Sequence, residues 1–162
     1  RILAHPKRIS KRILYNEEIN KLLIDYYILC NSKQLINTEQ LVAILEQEFK
    51  LSKAASEFLF AVYWDRTYNC KGILLVAKGV SNRSYFNYSD IMRSGILVGA
   101  SSFSLVHNHP NRNLTFSLED CNTTKYCINL GKILNMPLHE HILIADNKYT
   151  TLKGGDFNAE NE

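Results

Sequence analysis

The chain has 162 residues, 46% hydrophobic and 22% charged, which is the make-up of an ordinary compact globular protein and the length of one domain, or of one domain with a helical extension. No stretch reaches the roughly 18 apolar residues of a membrane helix and no secretory leader is visible, so the expectation is a cytoplasmic protein with no membrane partner. A net charge of only +3 gives little support to a dedicated nucleic-acid binder, and the four cysteines (Cys30, Cys70, Cys121, Cys127) lack the C-x-x-C spacing of a zinc cluster and indicate no disulfide framework.

In chain order, Ile13, Leu14, Ile19, Leu22, Leu23, Tyr26 and Tyr27 recur at near-helical spacing and predict a helix over residues 9–29. Asn31, Ser32 and Asn37 lie around the join to a second helix starting at Thr38, with Leu41, Ile44, Leu45 and Phe49 on one face. Residues 1–52 therefore read as an N-terminal helical extension. It opens with five basic residues in twelve (Arg1, Lys7, Arg8, Lys11, Arg12), which can give weak, non-specific contacts to nucleic-acid phosphates or simply form a solvated segment. The first residue is Arg1 rather than methionine, as in an excised fragment.

β-forming runs at residues 57–64 and 72–79, separated by the turn-like stretch 65–71, predict a hairpin. A helix over residues 89–98 precedes a strand at residues 103–106. Another helix runs from the neighbourhood of residues 115–119 to about Leu134, and two short strands at residues 142–145 and 149–152 close the domain. From Gly154 onward the chain is polar and is expected to fray, with residues 156–162 as a disordered tail. There is no repeat and no low-complexity tract.

The strand at residues 103–106 runs straight into His107-Asn108-His109. Side chains i and i+2 of a strand share a face, so the two imidazoles can converge on one ion. Pro110 and the polar Asn111-Arg112-Asn113 break the strand, and the following helix carries Asp120 back towards the histidines. Two histidines, one carboxylate and an open fourth position make a hydrolytic rather than a structural zinc site. Ser117 and Asp120 also form a Ser-x-x-Asp capping pattern, which alone accounts for both as helix-start residues. Cap and ligand are compatible, because a helix N-terminus can hold a carboxylate and still aim it at a cation. A second pair, His139 and His141, competes for the metal, but has no carboxylate at comparable spacing.

His107, His109, Ser117 and Asp120 fit the pattern H-x-H-x7-S-x2-D, and on it the chain resembles the JAMM (MPN-plus) metallohydrolases. The wording His107-Asn108-His109-Pro110, the helix start Ser117-Leu118-Glu119-Asp120, and His141-Ile142-Leu143-Ile144 followed by Tyr149-Thr150-Thr151-Leu152 are similar to the bacterial RadC branch, over roughly residues 55–153. The resemblance implies an α/β fold, a mixed central β-sheet flanked by helices in the JAB/MPN, cytidine-deaminase-like architecture, over residues 53–155. It implies zinc held by His107, His109 and Asp120, with Ser117 donating to the oxyanion of the scissile carbonyl and His141 as a supporting histidine behind the ligands. It also implies a glutamate, supplied from the start of an earlier strand, that takes a proton from the zinc-bound water. Glu57 fits that position; Asp90, which opens a helix, and Glu48, which shares a helix with Glu46, are the alternatives.

The implied reaction is hydrolysis of an amide, in a peptide or isopeptide bond of a peptide or protein substrate. The rival reading is a non-catalytic, DNA-associated or protein-binding module that retains the site; a third is hydrolysis of a non-peptide amide. The RadC name carries an association with DNA repair, but the Gly-rich helix-hairpin-helix often found before this domain is not evident in residues 1–50. Asn111-Arg112 replace the usual Ser-Gly, Phe116 the usual proline, Glu140 an aspartate, and Tyr88-Ser89-Asp90 a Pro-Arg-Glu helix start. None of these is a motif ligand, so the departures bear on substrate preference rather than on metal binding.

Overall fold

The computed structural model describes residues 37–79 and 87–157. The helix expected over residues 9–29, the basic cluster of the first twelve residues and the tail beyond residue 157 lie outside the described residues.

Helix α1 (Thr38–Phe49) starts at a capping box, in which Asn37 Oδ1 accepts from the Gln40 amide at 2.8 Å and Gln40 Oε1 accepts from the Asn37 amide at 3.0 Å. Two of the first unpaired amides of the helix are thereby satisfied. Leu41 and Leu45, one turn apart, are fully buried. After a short 3-10 turn (Leu51–Lys53) come β1 (Glu57–Trp64) and β2 (Cys70–Gly79), paired antiparallel as the expected hairpin. Helix α2 (Tyr88–Leu97), β3 (Ser102–Asn108), α3 (Leu118–Ile133), β4 (Leu138–Ala145) and β5 (Lys148–Lys153) follow.

The five strands form one sheet in the order β2-β1-β3-β4-β5, in which only β3 and β4 run parallel. A parallel pair needs a crossover, and α3 supplies it. The result is the mixed sheet flanked by helices that the sequence predicts.

Strand alternation sorts the core into two layers. Phe60, Val62 and Trp64 of β1, Val106 of β3, and Ile142 and Ile144 of β4 pack with Leu41, Leu45 and Leu51 on the α1 side. Leu59, Ala61, Tyr63, Phe103 and Leu105 pack with Ile91, Met92, Cys127 and Ile128 of α2 and α3 on the other. By the same parity His107 and His109 point to the α3 side and Asn108 to the α1 side. Burial pushes the Cys127 thiol up to about 12, so this cysteine keeps its proton and packs as a small core side chain.

Two local features depart from the sequence reading. The chain continues past β5 into a second 3-10 turn (Gly154–Phe157) instead of fraying at Gly154. Glycine permits this because any Cβ at position 154 would collide with the Leu138 carbonyl. The second departure is a register shift between β3 and β4: Phe103 pairs with Leu138 but Leu105 pairs with His141, three residues against two. This bulge breaks the two-residue alternation between His139 and His141.

Candidate metal centre

The centre is assembled where the end of β3 meets the start of α3. His107 is the penultimate residue of β3 and His109 lies just beyond its end, on the same side; they are 1% and 7% exposed. Helix α3 returns Asp120 to the pair through its cap. Ser117 Oγ accepts from the Asp120 amide at 3.1 Å, and Asp120 Oδ2 accepts from the Ser117 amide at 2.7 Å. Both readings of the Ser-x-x-Asp pattern therefore meet in one arrangement: the capping bonds fix the carboxylate in the position from which it faces the imidazoles.

His107 Nε2 lies 3.2 Å from His109 Nε2 and 3.3 Å from Asp120 Oδ1; His109 Nε2 lies 3.2 Å from Asp120 Oδ2. His107, His109 and Asp120 are all buried and each turns a ligand-type atom to a common point; among the described residues they are the group that can hold a metal ion. Burying two imidazoles and a carboxylate together is costly unless a cation or protons lie among them, which is the chemical reason this donor set suits a metal.

Other contacts orient the rings. His109 Nδ1 donates to the Asn113 carbonyl at 2.8 Å, which leaves its Nε2 lone pair directed at the site. His107 Nδ1 lies 2.7 Å from His141 Nε2, and His141 Nδ1 lies 2.7 Å from Thr124 Oγ1. Thr124 in turn donates its hydroxyl hydrogen to the Asp120 carbonyl at 2.6 Å. Phe116, in place of the usual proline, sets its ring edge-on to His107 and His141, with centroids 5.7 and 5.2 Å away.

The competing pair separates as the bulge dictates. His141 is fully buried behind His107, whereas His139 packs against the Tyr68 ring at 5.0 Å. Burial lowers the pKa of His139, Glu140 opposes that shift and Lys153 adds to it.

Ser117 is exposed at the mouth of the site, with its oxygen already bonded to Asp120. Glu57, the first residue of β1, is partly buried. Leu59 is the cross-strand partner of His107, and Glu57 follows two residues along on the same face, towards the end of β3 where His109 stands. The two alternative acids are placed otherwise. Glu48 is exposed on α1, the helix that covers the opposite face of the sheet, and Asp90 pairs with Arg93 at 3.3 Å on the exposed first turn of α2.

Three residues at the site carry contacts that sequence reasoning had not assigned. Phe116 and Thr124 are two; the third is Asn108, fully buried between the two histidines but facing α1. Its Oδ1 accepts from the Phe58 amide at 2.7 Å, and its Nδ2 donates to the Leu51 and Ser56 carbonyls at 3.0 and 3.1 Å. It thus ties the ligand strand to the segment that bears Glu57. Strand parity was the available signal for Asn108, because it places an amide in an apolar layer where that amide must find partners. For Thr124 the signal was its spacing, one helical turn after Asp120.

Comparison with known proteins agrees with this geometry. Residues 35–157 match a family model described as a RadC-like JAB domain. Similar relatives bear the name UPF0758 protein. The one from Desulforamulus reducens is 38% identical over 78 residues, covering 48% of this chain and 34% of the relative. The one from Carboxydothermus hydrogenoformans is 28% identical over 130 residues, covering 79% of this chain and 57% of the relative. A third, from Staphylococcus epidermidis, is 39% identical over 77 residues, or 48% of this chain and 34% of the relative. The chain thus spans about half the length, or less, of the curated relatives it matches. Among the described residues no helix is long and apolar enough to cross a membrane. The matched segment takes in every strand of the sheet and all of His107, His109, Ser117 and Asp120, and on that basis the chain belongs to the RadC-like JAB domain family.

Proposed function

We propose that the protein is a zinc-dependent hydrolase that cleaves a peptide or isopeptide amide bond with activated water. The observation that carries this reading is how closely His107, His109 and Asp120 converge: the two Nε2 atoms lie 3.2 Å apart, and the Asp120 carboxylate reaches His107 through Oδ1 at 3.3 Å and His109 through Oδ2 at 3.2 Å. Ligands held about 2.0–2.1 Å from a tetrahedral zinc stand ~3.3 Å apart, which is the spacing of these contacts, and three protein ligands leave a fourth position for water or substrate. Imidazole nitrogen in the majority also favours zinc over magnesium or calcium, which prefer all-oxygen sites.

Bound there by His107, His109 and Asp120, zinc would supply the Lewis acidity that lowers the pKa of a water to near 7. The chain's own residues do the rest. The Glu57 carboxylate accepts the proton of the attacking water and returns it to the leaving amine. The Ser117 oxygen already accepts the Asp120 amide, so its hydroxyl hydrogen remains for the oxyanion that forms on the scissile carbonyl. His107 and His109 keep their ring orientations through bonds to His141 and the Asn113 carbonyl. The loop 111–113, which departs from the usual RadC wording, lies immediately after His109 and is the part of the site best placed to select substrate.

Mass-spectrometric analysis of a mixed library of peptides and isopeptide-linked peptides, incubated with zinc-loaded protein, tests this reading. New amine and carboxylate termini are expected, lost with a chelator and restored by zinc. A library left intact by folded, zinc-loaded protein contradicts the hydrolase assignment.

A further inference from the structure

We propose that Thr124 is a positioning residue for the metal ligand His107: acting through His141, it sets which nitrogen of each ring carries the proton. This rests on the metal reading above, and it follows from counting hydrogens along a chain of short contacts. The 2.6 Å contact between Thr124 Oγ1 and the Asp120 carbonyl needs a hydrogen, and only the hydroxyl can provide it. With its single hydrogen committed, Thr124 Oγ1 can act only as an acceptor towards His141 Nδ1, 2.7 Å away. His141 therefore carries its proton on Nδ1, and in the neutral ring its Nε2 is a lone pair. That lone pair accepts from His107 Nδ1 at 2.7 Å, which places the proton of His107 on Nδ1 and leaves Nε2 bare on the side facing His109 and Asp120.

The chain starts on one ligand, His107, and ends on the backbone of another, Asp120. A helical turn of α3 closes the loop, since Thr124 and Asp120 are four residues apart. Thr124 and His141 are both fully buried and the Phe116 ring covers the histidines edge-on, which keeps bulk water from substituting for the hydroxyl. Without the hydroxyl, Nδ1 of His141 loses its acceptor and the proton favours Nε2. His141 then donates to His107 Nδ1, the His107 proton moves to Nε2, and an N–H points at the place a cation must occupy. Neutral imidazole binds metal only through the nitrogen that lacks the proton, and partners of this kind are worth about 10- to 100-fold in metal affinity.

Two measurements on the full chain test this. In metal-free protein, imidazole 15N shifts are expected to report His141 and His107 with protons on Nδ1. Thr124→Ser, which keeps the hydroxyl, is expected to preserve both tautomers, and Thr124→Val to move the proton of each ring to Nε2. Zinc affinity, measured by competition with a chelator, is expected to fall about 10- to 100-fold in Thr124→Val and to recover in Thr124→Ser. His141 found with its proton on Nε2 in the wild-type protein overturns the proposal, whatever the variants do. So does a folded Thr124→Val protein with unchanged tautomers and wild-type zinc affinity. Wild-type protein that takes up no zinc overturns instead the metal reading, and the 15N experiment, made without metal, still decides the role of Thr124.

Discussion

Glu57→Gln is expected to retain zinc and the fold while losing turnover by about a hundred- to ten-thousandfold, the ordinary worth of a general base. Glutamine keeps the length and shape of the side chain at the start of β1 but cannot take up a proton, so the loss falls on chemistry rather than on folding. The placement behind this prediction is the pairing of Leu59 with His107, which puts Glu57 one alternation further along the same face. Asp90 is the competing acid, and Asp90→Asn is expected to leave turnover essentially unchanged because its carboxylate is engaged with Arg93 on an exposed helical turn. Rates of both variants on any substrate cleaved by the wild type, alongside their zinc content, check the assignment. A Glu57→Gln protein of wild-type activity, or an Asp90→Asn protein that is inactive while holding zinc, overturns it.

Asn108→Leu is expected to destabilise the fold by about 3 kcal/mol or more. Leucine is close in size, so the loss comes from hydrogen bonding. The Phe58 amide and the Ser56 carbonyl lose the partner that Asn108 provides, while the Leu51 carbonyl keeps only its bond from the Ala54 amide; a buried polar group left without a partner costs about 1–3 kcal/mol. The costs are not additive, because the 51–58 segment can relax. For a domain of this size about 3 kcal/mol corresponds to a fall in Tm of roughly 10 °C. Thermal and urea unfolding of the metal-free variant measure the effect without interference from zinc binding. A change of Tm within a degree or two would mean that the Asn108 side chain does not hold this segment in place.

Strand alternation made much of this structure legible in advance. It paired His107 with His109, while the β-forming runs on either side of a turn put the hairpin at β1 and β2. The polar break after His109 and the cap at Ser117 then located the start of α3 and, with it, Asp120. The His139 and His141 pair shows where such reading stops. Alternation presumes an unbroken strand, and the extra residue in β4 is a property of its pairing with β3, which no local pattern announces. Parity could place Asn108 in an apolar layer but not name its partners, which lie 50 to 57 residues away in sequence, in a segment that only the folded sheet brings to it. Thr124 sits on the expected helix, but its acceptor role depends on His141 arriving from β4. Phe116 was legible as a departure from the usual proline, yet not as a ring laid against two histidines.

The central claim is that His107, His109 and Asp120 form one zinc site, and metal analysis of the purified protein tests it most directly. The wild type, equilibrated with zinc and freed of loose metal, is expected to hold about one ion per chain, as a three-ligand site with an open fourth position requires. Single replacement of any of the three by alanine is expected to weaken binding steeply, since no ligand is spare. The double variant His107→Ala/His109→Ala is expected to hold none while remaining folded. Stoichiometric zinc retained by that double variant contradicts the account.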